Sequence, residues 1–511
     1  MPQAVDKGRQ EIQGELVKLG MLKRKQAQQT ELEFISIEEL VPEDHLLRKI
    51  DQTIDFTFIY DKVEHLYCLD NGRPPIDPVD LFKMLFIGYL FGIKSERQLE
   101  QEVNLNVAYR WFLGLGLRGK APDHSTISRN RRERFAGTKI YQEIFDEIVL
   151  QAIRRKLVDG ETLYTDSTHL KANANPNRYK KRKVKKATRK YLDELDQAVN
   201  ADREAHGKEP LDPVERKPQE KETRVSNTDP DSGYMKRDRK PKEFCYLDHR
   251  TVDGKHSIIT DVHVTPGNVH DSVPYLDRLD RQINRFGFEV ENVGLDAGYY
   301  TTHICKGLAD RGIYGAMPYV GYSGRKGLLN KSYFTWDESN DCYICPQGEI
   351  LSYVTTNRDG FREYKCRQEA CCNCPLLEQC TTNKKKVRRM LRHVWEEYKE
   401  QVIKHRSEEH GIQIYDRRKE TVERSFADAK QLHGMRYAKL RGVENVSEQC
   451  LMVATCQNIK KIAMCCTRGG KGGYFRLFLL QLNAISALKR LILSFLPPSR
   501  IFGLRPGMAL N

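Results

Sequence analysis

Glu161-Thr-Leu-Tyr-Thr-Asp-Ser-Thr-His-Leu-Lys171 is the stretch on which the reading of this chain turns. Leu163, Thr165 and Ser167 alternate with Tyr164, Asp166 and Thr168, and the run is rich in β-favouring residues. It therefore reads as a strand that presents Asp166 on one face. Asn173-Ala-Asn-Pro176 follows, and then a basic run from Arg178 to Lys190 that no core could absorb. A carboxylate on a strand beside dense positive charge suits a site that handles a metal ion and a phosphate. A strand-end Asp capping a turn is the commoner use of any single Asp, so the reading depends on partners for Asp166 elsewhere.

Composition narrows the partners. The chain has 511 residues and a formal net charge of +15, which favours polyanions, attracted through charge and counterion release without base specificity. Met1 to Glu33 is polar and charged with no apolar run, so no signal segment is expected. Tyr474 to Leu496 is interrupted by Arg476, Asn483, Lys489 and Arg490, which excludes a membrane span there. A cytoplasmic, nucleoid-associated protein is expected. In that compartment the 14 cysteines point to metal binding or incidental use rather than a disulfide framework.

Upstream of the strand the text is helical. Asp77 suits an N-cap with Pro78 at the first helical position, and Ser95-Glu-Arg-Gln98 matches a capping box. Asp123 or Ser125 can cap a short basic helix carrying Arg129, Arg131 and Arg132. Short helices ending in an Arg-rich one are compatible with a helix-turn-helix-like DNA-binding unit, or with an all-α packing domain whose basic helix is merely solvated. Lys139 to Arg155 is one further helix. The expected organisation is a charged leader (1–33), a helical N-terminal DNA-binding domain (34–156), an α/β catalytic domain (157–464) and a C-terminal tail (465–511).

Downstream, Lys242–His249 and His256–Val264 form an expected hairpin around Asp253-Gly254. A helix from Val273, a strand Val290–Asp296, a helix from Thr301 and a short strand Gly312–Pro318 follow. That order implies a mixed-sheet α/β core in which Asp296 is a second acidic strand end. Val387 to His405 reads as a charged helix, and Tyr415 to Lys430 as another, on which Glu423 and Lys430 share a face. Asn445 to Met464 reads as an apolar closing helix. Three converging carboxylates repel one another unless cations sit between them, and Mg²⁺ takes oxygen ligands while leaving positions for phosphate.

The combination resembles the DDE transposases of bacterial insertion sequences, in the broad IS-four-like superfamily and closest to its eleven-eighty-two group. The residues that carry the resemblance are Tyr164-Thr-Asp-Ser-Thr-His-Leu-Lys171, Thr265-Pro-Gly-Asn-Val-His-Asp271 and Gly294-Leu-Asp-Ala-Gly-Tyr299. To these are added Glu423-Arg-Ser-Phe-Ala-Asp-Ala-Lys430 with Arg436 to Gly442, and Pro74-Pro-Ile to Arg134 upstream. The resemblance implies an RNase H-like core with Asp166, Asp296 and Glu423 binding two Mg²⁺ ions, Mn²⁺ serving as a substitute. Glu420 is the fallback for the third position. It also implies Lys430 as a phosphate contact, DNA as partner, and a homodimer that holds two element ends. Expected DNA contacts are Lys430, Arg129, Arg131, Arg132, Arg436 and Arg441. In the superfamily signature the slots for Tyr and Arg hold Asp416 and Lys419, while Tyr415 and Arg418 sit one residue early.

Two insertions interrupt the core, a basic one at 172–240 and a Cys-rich one at 330–385. The latter holds two Cys-x-x-Cys pairs, 342/345 and 371/374, at a spacing that suits a structural zinc. Cys345, Cys371, Cys374 and Cys380 are the leading ligand set, in competition with one that uses Cys342. The function expected is Mg²⁺-dependent cleavage and strand transfer at the ends of the chain's own element. The alternatives are a zinc-containing DNA-binding regulator and a related nuclease without strand transfer.

Overall fold

The computed structural model describes residues 34–68, 75–185, 191–213, 220–236, 242–319 and 327–468. The expected leader, residues 186–190 of the basic run and the tail beyond 468 lie outside them.

The opening stretch is strand β1 (Thr162–Lys171). Seven strands follow as far as residue 316: β2 (Tyr179–Lys185), β3 (Glu220–Ser226), β4 (Gly233–Met235), β5 (Glu243–Asp253), β6 (Ile259–Pro266), β7 (Asn292–Leu295) and β8 (Tyr314–Ala316). The main sheet has the order β6-β5-β1-β7-β8, with the short β4 pairing with the start of β5. β5 runs antiparallel to both of its neighbours, β6 and β1, whereas β7 and β8 run parallel to β1. The fold is therefore the mixed α/β class expected. β1 lies inside the sheet with Leu163, Tyr164, Thr165 and Leu170 buried, and the stretch from Asp166 to His169 between them is half-buried. The hairpin closes at Asp253, whose Oδ1 accepts from Lys255 N at 2.9 Å.

The upstream helices begin where the caps place them. Asp77 Oδ1 accepts from Val79 N at 2.7 Å at the head of helix Pro78–Leu90. Ser95 Oγ accepts from Gln98 N at 3.2 Å and opens helix Glu96–Leu105. Asp123 Oδ1 accepts from Ser125 N at 2.7 Å and opens the short helix His124–Arg129. Helix Pro78–Leu90 is apolar on nearly every side, and Leu81, Phe82, Met84 and Ile87 are all buried. A helix of that kind must be enclosed.

Enclosure comes from helix Val443–Arg468, the closing helix. It packs on helices Leu46–Thr53, Pro78–Leu90 and Ile140–Arg154 and, on its other side, on β6. One hydrophobic core therefore runs from Val41 to Ala463 through both regions. Each fully buried Leu, Ile or Phe in it contributes about 1.5–3 kcal/mol. The closing helix also finishes the edge strand, because Asn458 accepts from Ile259 N at 2.8 Å and donates to Ile259 O at 2.7 Å.

The Cys-rich insertion is a second, antiparallel sheet of β9 (Thr335–Asp337), β10 (Cys342–Ile344), β11 (Ile350–Thr356), β12 (Phe361–Cys366) and β13 (Arg389–His393). This corrects the helix expected over Val387–His405. Its first part is β13, and the helix begins only at Glu396. Arg392 hides the alternation: it is buried, pairs both guanidinium nitrogens with Glu400 at 2.6 and 2.7 Å, and lies over the Trp336 ring. The basic insertion forms the hairpin β2–β3 and helix Leu192–Ala205. That helix docks on the second sheet, where the Asp202 carboxylate accepts from Thr356 Oγ1 at 2.5 Å and Arg362 Nε at 2.7 Å.

Candidate active site

β1 and β7 run side by side in register up to the pair Thr165–Leu295. The next residue on each strand is Asp166 and Asp296, so parallel pairing delivers two carboxylates to one edge. Asp166 Oδ1 accepts from Ser167 N at 2.7 Å and its Oδ2 accepts from Arg418 Nη2 at 2.8 Å. Burial pushes Asp166 up to about 7; Arg418 opposes this, while the neighbouring charges of Asp296 and Asp271 add to it. Asp296 caps the turn Ala297–Tyr299, accepting from Gly298 N at 2.8 Å, and burial raises it as well.

The third carboxylate arrives on a wide helical turn. Residues Lys419–Glu423 form a π-helical segment between helices Glu409–Arg417 and Arg424–Leu432. A π turn accommodates one more residue than an α turn. Arg418 is thereby brought to Asp166 although it stands one residue early in the signature. Its side chain is only 4 % exposed and reaches Glu423 Oε1 at 3.9 Å through Nη1. The Tyr415 ring lies 5.3 Å from the Arg418 guanidinium carbon. Gly294 on β7 makes the room, since a Cβ there would fall 2.7 Å from the Tyr164 ring and 3.3 Å from Arg418 Cγ. Glu420 and Glu423 are both exposed, but the contact from Arg418 goes to Glu423. Lys430 Nζ donates to Thr168 Oγ1 at 2.6 Å, two residues along β1 from Asp166.

Asp166 and Asp296 fit a hard divalent cation: both are oxygen donors whose burial lacks full positive compensation. Asp166, Asp296 and Glu423 do not yet form a closed cage, because a guanidinium lies between Asp166 and Glu423. Among the described residues, the group of three whose ligand atoms fall mutually within 4.8 Å is Glu100, Asp123 and His124 in the helical region. There His124 Nδ1 already lies 2.6 Å from Glu100 Oε2.

The structure adds Asp271, the last residue of Thr265–Asp271. It lies just beyond β6, and its Oδ1 accepts from Ser167 Oγ at 2.7 Å. Neither period nor spacing marks an Asp in such a loop; only the fold brings it beside Asp166.

The expected DNA contacts divide. Arg129 is exposed at the end of helix His124–Arg129 and Arg132 on the π-helical segment Asn130–Arg134 that continues it, as are Arg436 and Arg441 on the turn before the closing helix. Arg131 departs from expectation. It is largely buried, pairs with Glu96 at 2.5 Å and Glu448 at 2.6 Å, and ties the basic helix to the closing helix. A cavity of about 590 Å³ lies between these parts, with Lys94, Arg132, Asn173, Lys439 and Arg441 among its walls.

The expected zinc residues gather without closing. Burial raises the Cys380 thiol, with Cys371, Cys374 and Cys345 adding to the shift. Cys366 joins them, pushed up to about 12 by burial and by Cys371. No three of these sulfurs lie mutually within 4.8 Å. Cys342 stands among Asp337 and Asp341 instead. No helix among the described residues is long and apolar enough to cross a membrane.

Comparison with known proteins adds family evidence. Residues 35–133 match a "Transposase domain (DUF772)". Residues 344–463, which include Glu423 and Lys430, match a "Transposase DDE domain". No curated protein is significantly similar to the chain. Similar solved structures include a piggyBac transposase synaptic complex with hairpin DNA, at 8 % identity and TM-score 0.29 over 90 % of this chain and 86 % of that one. Another is a Mos1 transposase paired-end complex with left transposon end, at 14 % identity and TM-score 0.15 over 50 % of this chain and 63 % of that one. At these TM-scores neither likeness fixes the fold. The two domain matches, one on the helical region and one on the part that carries Glu423, support a DDE transposase.

Proposed function

We propose that the chain is a transposase of the IS-four-like superfamily, closest to the eleven-eighty-two group. On this reading it cleaves DNA at the ends of its own insertion sequence and transfers the freed strands to a target, with Mg²⁺ or Mn²⁺ as cofactor. The observation that carries the reading is the delivery of Asp166 and Asp296 by neighbouring parallel strands, with Glu423 tied to Asp166 through Arg418. The sheet order, three antiparallel strands followed by two parallel ones, supports an RNase H-like core.

Asp166, Asp296 and Glu423 would hold two divalent ions. Bound ions supply activation of a water or 3′-hydroxyl and stabilisation of the leaving oxygen. The protein's own part is orientation and charge. Ser167 N and Gly298 N fix the rotamers of Asp166 and Asp296. Lys430 stands beside Thr168, where it can grip a phosphate one step from the carboxylates. Arg129, Arg132, Arg436 and Arg441 supply sequence-independent backbone attraction. A homodimer at the nucleoid, holding two element ends, belongs to the same proposal. So does structural zinc at Cys345, Cys371, Cys374 and Cys380, which metal analysis of the purified chain checks.

The test is Asp166→Asn, assayed with element-end DNA and Mg²⁺. Loss of both nicked and joined products with DNA binding retained is expected; cleavage at the parental rate would defeat the assignment.

A further inference from the structure

Two fully buried polar atoms close to the carboxylates have no hydrogen-bond partner: Tyr299 Oη and His249 Nδ1. Orphans of that kind are rare and call for a ligand or an ordered water. Tyr299 is held by an edge-on contact with Tyr275, its ring centroid 5.2 Å away. Burial dominates its surroundings; the Arg278 charge acts on its hydroxyl in one direction, and those of Asp271, Asp166 and Asp296 in the other. The other nitrogen of His249, Nε2, is engaged with Thr265 Oγ1 at 2.8 Å, and this leaves Nδ1 aimed toward Asp271 Oδ1, 4.0 Å away. Asp271 itself is anchored by Ser167 Oγ at 2.7 Å. A point one Cβ bond from Gly298 lies 3.1 Å from Asp296 Oδ1 and 3.6 Å from Asp271 Oδ2, so these two carboxylates face the same small space.

We propose that Asp271 is a further carboxylate of the divalent-metal centre, sharing its ion with Asp296 and Asp166, and that Tyr299 and His249 serve the waters of that ion. The inference rests on the transposase reading and deepens it. Three points carry it. Asp271 is an oxygen donor fixed by a side chain adjacent to Asp166. It opens onto the same space as Asp296. The His249 Nδ1, which makes no hydrogen bond, lies 4.0 Å from its Oδ1, and the buried Tyr299 hydroxyl, also without a hydrogen bond, feels its charge, as expected around an ion that keeps part of its water shell.

The test uses the full-length chain and Mn²⁺ alone, with bound and free ion separated by electron paramagnetic resonance. Asp271→Asn should weaken Mn²⁺ binding about tenfold or more, while its melting temperature in metal-free buffer stays close to the parent's. Asp271→Glu should recover part of the affinity. Parental affinity in Asp271→Asn, alongside loss in Asp166→Asn, would overturn the role of Asp271 and leave the wider reading standing. Parental affinity in both variants would overturn the metal centre as a whole. If Asp271→Asn fails to fold, Ser167→Ala frees the Asp271 carboxylate without removing it. Mn²⁺ binding by Ser167→Ala indistinguishable from the parent's would count against the proposal in the same way.

Discussion

At the scale of single residues, Asp166 is a half-buried carboxylate with one guanidinium for company. Its proton is held up to about 7, whereas an unfolded Asp titrates near the usual carboxylate range. The sign follows. A raised folded-state value means that its contribution favours the folded protein while the group is protonated and is lost as pH climbs through about 7. Each unit of difference is worth about 1.4 kcal/mol. Asp166→Asn mimics the neutral form, so in metal-free buffer it should be the more stable protein at pH about 8, with the gap narrowing toward pH about 4. Urea unfolding at the two pH values checks this, and a gap that does not change with pH refutes it. Asp166 was legible as a candidate because the sequence supplied ordered partners in Asp296 and Glu423. Asp271 was not, since a loop residue has no period to betray which neighbours the fold will give it.

At the scale of elements, the π turn and the glycine opposite it act together. The sequence places Tyr415 and Arg418 one residue off their signature slots, and α-helical spacing has no means of absorbing the extra residue. The π turn absorbs it, and Gly294 leaves space for the guanidinium that arrives. Gly294→Ala would set a methyl 2.7 Å from the Tyr164 ring. Overpacking of that kind typically costs about 1–3 kcal/mol. We expect a lower urea midpoint with unchanged slope, and weaker coupling of Arg418 to Asp166; a parental midpoint would mean that the Tyr164 ring yields freely. Strand β13 escaped the sequence for a related reason. Arg392 faces inward because Glu400 neutralises it, so the polar residue falls where a hydrophobic one would have signalled a strand. By contrast β1, the β5–β6 hairpin and the capped helices were readable, because alternation and cap chemistry agreed with tertiary burial.

At the scale of the whole molecule, the helical region and the sheet are joined through the closing helix, and Arg131 is part of the joint. Arg131→Gln leaves the buried Glu448 without its partner, so a loss of about 3–5 kcal/mol is expected. Arg132→Gln should leave stability unchanged and lower the slope of log affinity against log salt by about one. Melting curves with salt-dependent DNA titrations separate the two. If Arg131→Gln shifts only the salt slope, the residue is a DNA contact after all and the joint is held by apolar packing alone.

The closing helix also has a consequence for how the chain comes into being. Helix Pro78–Leu90 and strand β6 are both synthesised long before Val443–Arg468, which covers the first and completes the edge of the second. At translation rates of about 5–20 residues per second, the interval is on the order of tens of seconds. Throughout it the nascent polypeptide carries an incompletely covered apolar helix and an open strand edge, which makes it a natural client for ribosome-bound chaperones. A frameshift upstream of Val443 would accordingly yield a fragment that aggregates or is degraded rather than a shortened protein that folds.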